Sequence, residues 1–229
     1  GYSGVKPLYS TIPFFTQAGA SIYSKDGITV ALNSEAGLRG FETLTDLYRL
    51  YSVQQVVSSF YNSFRYGQIP LGIASYGDYV KIKTAAPEIA GLWGIAEPPG
   101  FLQEDGSIDR STTAASTACA IMEQSAYKEE SWTFLKWWLS AEVQTEFGNT
   151  LQTTYGPEYL WNSANRKAFE QLSFPEEDKE VILRQWAAMR EVPQHPAQYA
   201  IERELSDAWS NVVISGQPAR IALDNAVAN

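Results

Sequence analysis

The sequence predicts an α/β fold that is rich in helices. Short apolar segments typical of strands alternate with longer segments in which apolar residues recur every three or four positions. Strands interleaved with helices favour an α/β class over an all-helical one. The apolar share of 45% and the charged share of 19% are those of an ordinary globular protein, so the 229 residues are sufficient for a core of substantial size.

The first hundred residues contain helices and short strands in turn. Ile12, Phe15 and Ala18 recur at helical spacing, and Ser34 has the chemistry of a helix N-cap. The Asp26-Gly27 pair between two short apolar segments predicts a hairpin. The predicted elements after the first helix are a hairpin over 21–30, helices over 34–51 and 53–67, a strand over 69–74, a helical turn over 78–86 and a strand over 92–96.

The remaining residues are predicted to be mostly helical after one further strand. A polar segment at 101–113 is predicted to be a crossover, and the apolar run at 115–123 a buried strand. The predicted helices are 127–139, 140–147, 163–171, 176–190, 198–214 and 218–228.

Charge and composition exclude several classes of function. A net charge of −9 argues against binding to nucleic acid or to an anionic membrane surface. Cys119 and His195 are the only residues of their types, which excludes an internal disulfide, a Cys- or His-based metal site and, in practice, a Ser/His/Asp triad. We therefore predict no cofactor and no enzymatic activity, and Cys119 is interpreted as a small buried apolar residue.

Four segments resemble, in their order and spacing, the extracellular solute-binding proteins of carbohydrate ABC importers, the family that includes maltose-binding protein. The segments are 64–73 (FRYGQIPLGI), 91–100 (GLWGIAEPPG), 130–144 (ESWTFLKWWLSAEVQ) and 161–165 (WNSAN).

This resemblance implies a periplasmic-binding-protein-like (type II) fold that is incomplete, because a whole family member has two lobes and is about twice the size of one lobe. The chain is expected to be its carboxy-terminal half. Residues 1–100 are expected to form the α/β core of the second lobe, 101–155 a hinge crossover with a strand and helices of the first lobe, and 156–229 helices that pack on the second lobe.

The resemblance also implies binding of a sugar or oligosaccharide in a cleft between hinged lobes, and delivery to an ABC transporter permease. The implied location is extracellular, as a membrane-anchored lipoprotein, or periplasmic. Membrane attachment would be only through an anchor outside this chain. A peptide- or polyamine-binding protein and a protein-interaction module remain alternatives from the sequence.

Sugar binding requires aromatic faces beside polar groups, which selects the candidate site residues. Tyr76 and Tyr79 follow the predicted strand at 69–74, at the end where α/β proteins bind ligands. Tyr199 and Arg203 are four residues apart and share a helix face. The predicted ligand-binding residues are Tyr76, Tyr9, Tyr79, Trp93, Glu97, Tyr199 and Arg203.

The helix at 127–139 holds three of the seven tryptophans. On a helical wheel, Trp132, Phe134, Leu135, Trp138 and Leu139 share an arc typical of a core-facing stripe, and Trp137 lies outside it. This stripe is interpreted as packing surface rather than as a sugar-binding platform. If the first lobe is absent, the stripe is expected to remain an exposed apolar patch unless it finds another partner.

Overall fold

The structure, a computed structural model, describes residues 8–114, 116–192 and 195–229. Most of these residues are helical, and the strands are two residues long. The helices are α1 (Leu8–Gln17), α2 (Glu35–Arg49), α3 (Phe60–Arg65), α4 (Tyr76–Ala85), α5 (Lys128–Trp138), α6 (Ala141–Tyr155), α7 (Arg166–Gln171), α8 (Glu176–Ala187), α9 (Gln198–Val213) and α10 (Ala219–Ala228). The strands are β1 (Phe101–Leu102), β2 (Ile108–Asp109), β3 (Thr112–Thr113) and β4 (Met189–Arg190).

The chain forms two compact units, each built from separate stretches of sequence. Unit one contains the described residues of Gly1–Val57, Glu97–Ala115 and Gln185–Asn229. Unit two contains Ser58–Ala96 and Ser116–Arg184. The predicted boundaries at residues 100 and 155 concern the lobes of a whole two-lobe protein and stay a prediction.

Unit one has its core between two helices near the start of the chain and two at its end. The predicted N-cap is confirmed, since the Ser34 side chain accepts a hydrogen bond from the Gly37 amide at the start of α2. Phe15 of α1 stacks on Phe41 of α2, with ring centroids 6.2 Å apart. Trp209 of α9 is fully buried in the same apolar cluster. Burial of these large side chains is the main stabilising contribution.

Polar contacts also join the two ends of the chain within unit one. The Leu8 amide donates to Glu202 Oε1 at 2.9 Å, so the first turn of α1 lies beside the first turns of α9. The Asn33 amide group donates to Asp224 Oδ1 at 3.0 Å, and Arg220 donates to the Asn33 carbonyl at 2.8 Å. These contacts hold α9 and α10 against α1 and α2.

The strands of unit one form two small pairings. β1 and β2 are antiparallel, and β3 and β4 are parallel. The predicted hairpin at 21–30 is reduced to one antiparallel bridge between Tyr23 and Val30. Its turn is held by the Asp26 carboxylate, which accepts hydrogen bonds from Ser24, Ile28 and Thr29. These bonds hold the pKa of Asp26 well below its usual range.

Unit two depends on a buried amide where α5, α6 and the segment before α7 meet. Gln144 Oε1 accepts hydrogen bonds from Trp161 Nε1 at 3.0 Å and Ser163 Oγ at 2.9 Å. The Gln144 amide nitrogen donates to the Trp138 carbonyl at 2.9 Å. Asn165 caps α7 and donates to the Leu139 carbonyl. The 161–165 segment therefore has a structural role.

Several predicted elements are wrong in the described part of the chain. Residues 69–74, 92–96 and 116–123 are extended or turn-like but are not strands, and residue 115 lies outside the described residues. Among the described residues they have no neighbouring strand to pair with, and a single strand cannot satisfy its own backbone. The helix predicted over 53–67 is confined to α3, because 53–59 lacks helical hydrogen bonds.

One burial prediction is wrong, and for the apolar stripe of α5 the alternative expectation, an exposed apolar patch, is the one observed. Cys119 is exposed, not buried. α5 has no buried residue, and Trp132, Phe134 and Leu139 of its apolar stripe are each more than half exposed. Trp138 of the stripe does pack, edge to face on Phe147 with 5.0 Å between centroids. The physical reason is the same for both: nothing in the described residues covers this side of unit two.

The crossing of α1 and α2 generates a stability prediction. A Cβ added to Gly40 would collide with the carbonyl oxygen of Phe14. Gly40→Ala should therefore lower the free energy of unfolding by about 1–3 kcal/mol, although alanine favours a helix by about 1 kcal/mol over glycine. Urea unfolding measures this difference. The exposed neighbour Glu42 provides the control, and equal stability of Gly40→Ala and Glu42→Ala would contradict the close approach.

Candidate functional site

Three of the seven predicted site residues come together in unit two. Tyr76 and Tyr79 have ring centroids 5.9 Å apart, and the Tyr79 ring meets Trp93 edge to face at 6.0 Å. Phe174 extends the group, with its ring 6.2 Å from that of Tyr76. We call Tyr76, Tyr79, Trp93 and Phe174 the aromatic cluster.

The start of α4 positions the two tyrosines. The Ser75 hydroxyl accepts from the Asp78 amide at 3.2 Å, and the Asp78 carboxylate accepts from the Ser75 amide at 3.1 Å. This reciprocal capping box begins the helix at Tyr76. Tyr76 and Tyr79 are then three residues apart on one helix face, which is why their rings are neighbours.

Tyr79 is the buried tyrosine of the cluster, and charged side chains surround its hydroxyl. Its side chain is 6% exposed, and its hydroxyl donates to Asp178 Oδ2 at 2.7 Å. The Lys83 ammonium donates to the same oxygen at 2.8 Å. Burial and the bond to Asp178 raise the pKa of the Tyr79 phenol well above 10.0. The hydroxyl is therefore a neutral donor that already has its acceptor.

Tyr76 has the more accessible ring of the two. It is partly buried, and its hydroxyl donates to the Leu160 carbonyl at 3.3 Å. Burial raises the pKa of its phenol above the ordinary value. A ring that is supported on one side by Tyr79 and Phe174 and keeps a partly exposed surface can pack on an apolar ligand face.

The other four predicted residues lie in unit one. Tyr9 projects from the first turn of α1 and is exposed, and its carbonyl accepts from Thr113 Oγ1 at 2.7 Å. Tyr199 and Arg203 are exposed on the first turns of α9, which the bond between Leu8 and Glu202 holds next to α1. These three residues therefore occupy one end of unit one.

Arg203 and Glu97 differ in their surroundings. Arg203 forms an ion pair with Glu204, with Nη2 2.9 Å from Oε1, so its guanidinium is engaged at the surface. Glu97 is partly buried, next to the two prolines at 98–99. The Arg203 side chain is 55% exposed and that of Glu204 is 18% exposed, so the pair is only partly open to solvent.

Sequence reasoning missed Asp178, Lys83 and Phe174 as members of the site. Asp178 bonds to a tyrosine that is 99 positions away in the chain, and neither residue stands in a recognisable motif. The one usable indication was local: Lys83 follows Tyr79 by four residues and therefore shares its helix face.

In the described residues, no group of three or more His, Cys, Asp or Glu side chains is arranged to hold a metal ion. The same residues include no helix with the length and apolar character needed to cross a membrane.

Comparison with known proteins gives a family match over most of the chain. Residues 3–164 match the family described as bacterial extracellular solute-binding protein. A comparison with curated proteins gave no match.

Solved structures with similar folds include three sugar complexes. An ABC transporter solute-binding protein from Thermotoga lettingae, bound to α-D-tagatose, has 19% identity and a TM-score of 0.69, over 100% of this chain and 57% of that chain. The maltose-binding periplasmic protein MalE of Listeria monocytogenes, in complex with maltose, has 16% identity and a TM-score of 0.66, over 97% and 56%. The maltose/maltodextrin-binding domain MalE of Bdellovibrio bacteriovorus, bound to maltotriose, has 21% identity and a TM-score of 0.60, over 97% and 56%.

The chain thus spans about 57% of the length of the solved structures it matches. At these identities the likeness establishes the fold. The predicted periplasmic-binding-protein-like fold, helix-rich and incomplete relative to the two-lobe arrangement, is confirmed.

The raised pKa of Tyr79 predicts loss of stability in alkali. The unfolded chain ionises this phenol above pH 10, whereas the folded chain keeps it protonated. The free energy of unfolding should therefore fall as pH rises above 10, by about 1.4 kcal/mol per pH unit for this residue. Urea titrations followed by tryptophan fluorescence at pH 8 to 11 measure the slope.

Tyr79→Phe should remove the part of the fall in unfolding free energy above pH 10 that comes from this phenol. The part that comes from other groups should remain. Tyr66→Phe is the matched control, because Tyr66 is exposed on the same unit. An alkaline slope that is the same for wild type and Tyr79→Phe would contradict the burial of the phenol.

Proposed function

This chain belongs to the family of bacterial extracellular solute-binding proteins, and we propose that it is part of a protein that binds a sugar or oligosaccharide. The protein then delivers that ligand to an ABC import permease. The observation that carries the proposal is the family match over residues 3–164. The sugar complexes of the similar folds support the choice of ligand class.

The chemistry of unit two supports a sugar as the ligand. Sugar rings have weakly apolar faces and a periphery of hydroxyls, so a site needs an aromatic face beside hydrogen-bonding groups. Tyr76 provides a ring that is held by Phe174 and Tyr79. Within the proposal, Tyr76 contacts the ligand directly, Tyr79 supports the Tyr76 ring, and Trp93 packs on Tyr79.

Unit one supplies a second proposed ligand-contacting surface. Tyr9 and Tyr199 offer exposed phenol rings, and Arg203 offers donors for hydroxyl or carboxylate oxygens. Glu97 is proposed as an acceptor for sugar hydroxyls.

The proposed role is binding without chemical conversion. The family and the similar proteins are described as binding proteins. No motif in the sequence pairs two carboxylates for glycoside hydrolysis, a reaction that requires two of them at a defined separation. The family is extracellular, and attachment through a lipid anchor outside this chain belongs to the same proposal.

A thermal-shift screen tests the ligand class. The full-length protein should be stabilised by at least one mono- or oligosaccharide. A ligand at 100 times its Kd adds about 2.7 kcal/mol to the free energy of unfolding. Spermidine and short peptides are screened alongside. Stabilisation by either of these, with no response to any sugar, would overturn the carbohydrate assignment, and turnover of a chromogenic glycoside would overturn the binding-only role.

Substitutions at Tyr76 test the site. Tyr76→Leu should weaken sugar binding roughly tenfold, since aromatic packing is worth about 0.5–1.5 kcal/mol. Tyr76→Phe keeps the ring and should retain binding within about twofold. Isothermal titration of both variants, with exposed Tyr66→Leu as the control, measures the effect. Equal affinity of Tyr76→Leu and wild type would remove Tyr76 from the site.

A further inference from the structure

An exposed pair of tyrosines lies in unit two, outside the predicted site. Tyr155 ends α6, and Tyr159 ends a short 3₁₀ helix over Pro157–Tyr159. Their ring centroids are 5.4 Å apart, within the range of favourable aromatic pairs. Tyr155 is 62% exposed and Tyr159 is 48% exposed. The two rings therefore form an aromatic surface that is largely open to solvent, which we call the second aromatic surface.

The turn between the two tyrosines holds them in this arrangement. Gly156 has a φ of +117°, a conformation that favours glycine, and Pro157 begins the short helix that follows. The Tyr159 amide donates to the Gly156 carbonyl at 3.1 Å. The rings are thus presented by a backbone that is already ordered, so less conformational freedom is lost when a ligand packs on them.

The same turn is joined to the proposed site. Leu160 follows Tyr159, and its carbonyl accepts a hydrogen bond from the Tyr76 hydroxyl at 3.3 Å. By standard backbone dimensions, the Cα of Tyr159 then lies within about 10 Å of that hydroxyl. The short helix also contacts α4, which carries Tyr76. The second aromatic surface and Tyr76 are therefore neighbours, although Tyr76 and Leu160 are 84 positions apart in the chain.

A carboxylate accompanies the second aromatic surface. Glu158 directly precedes Tyr159 and is exposed. Its carboxylate approaches Gly156 so closely that an added Cβ would collide with it. The turn therefore brings an acceptor for sugar hydroxyls together with aromatic faces, which is the combination that a sugar site needs.

The charges near both surfaces favour a neutral ligand. Residues 137–165 contain no Lys, Arg or His, so the segment of the second aromatic surface offers no cation to a phosphate or a carboxylate. In the aromatic cluster, the Lys83 ammonium lies 5.7 Å from the Tyr79 ring centroid and 6.0 Å from that of Trp93. Those rings already hold a cation, so a polyamine has less to gain from them. An uncharged, hydroxylated ligand meets neither obstacle.

We propose that Tyr155, Tyr159 and Glu158 form a second sugar subsite, and that the ligand is an oligosaccharide whose rings extend from Tyr76 to this surface. The inference rests on the proposed function, because it takes Tyr76 as the contact for one sugar ring. Two neighbouring aromatic surfaces suit a chain of linked sugars. A monosaccharide on Tyr76 would leave the second aromatic surface uncovered.

Affinity as a function of ligand length tests the second subsite. The probes are three series, each titrated calorimetrically into the full-length protein: glucose, maltose and maltotriose; glucose, cellobiose and cellotriose; xylose, xylobiose and xylotriose. In at least one series, the affinity should rise about tenfold from the monosaccharide to the trisaccharide, because the longer ligand packs on further rings. Monosaccharides that bind as tightly as the longer sugars of their series would overturn the inference.

The double variant Tyr155→Leu/Tyr159→Leu locates the subsite. It should weaken trisaccharide binding about tenfold. Monosaccharide binding, measured in competition with the trisaccharide, should stay within about twofold, because the shorter ligand does not reach the second aromatic surface. Tyr155→Phe/Tyr159→Phe keeps both rings and should bind the trisaccharide nearly as well as wild type. Tyr127→Leu replaces a tyrosine of unit two that is 70% exposed, and this control should change neither affinity.

Tyr76→Leu separates a failure of this inference from a failure of the proposed function. If Tyr76→Leu weakens sugar binding and Tyr155→Leu/Tyr159→Leu weakens none, Tyr76 remains the sugar contact and the second subsite is wrong. Equal weakening of mono- and trisaccharide binding by the double variant would also overturn it, since the loss would then lie around Tyr76. If no sugar of any length binds, the proposed function fails and this inference fails with it.

Discussion

The packing of the last two helices on the first two is the interaction on which the architecture depends. α9 and α10 bury Trp209, Val212 and Leu223 against α1 and α2, and the Leu8–Glu202 bond joins chain positions 194 residues apart. Because unit one needs both ends of the chain, the polypeptide must leave it and return twice. Unit two is formed by the two stretches of chain in between, Ser58–Ala96 and Ser116–Arg184, so its elements also come from distant parts of the sequence.

In unit two, a buried polar side chain has its hydrogen-bond partners, whereas the apolar surface of one helix is largely uncovered. Gln144 is buried and bonds to the Trp161 indole, the Ser163 hydroxyl and the Trp138 carbonyl. A buried amide with these partners holds α5, α6 and the 161–165 segment in one arrangement. In contrast, α5 has no buried residue. The tryptophan-rich helix is thus fixed in position while most of its apolar surface stays open.

The aromatic cluster shows how neighbouring tyrosines acquire different surroundings. Tyr76 and Tyr79 share a helix face, yet of the two only Tyr79 is buried, with its hydroxyl on Asp178. That bond fixes the Tyr79 ring, which in turn supports Tyr76. In the proposed site, this support would favour ligand binding, since less conformational freedom is lost when the ring is already held.

The sequence by itself indicated the family, most of the helices and the N-cap of α2, because helical periodicity and the Ser34 cap act over a few neighbouring residues. It also brought Tyr76 and Tyr79 together as candidates through their spacing. Only the tertiary structure decided that Asp178 and Phe174 join them, and that residues 69–74, 92–96 and 116–123 are not strands in the described part of the chain. A strand and a buried charge both depend on partners far away in the chain, and a local pattern carries no information about whether those partners are present.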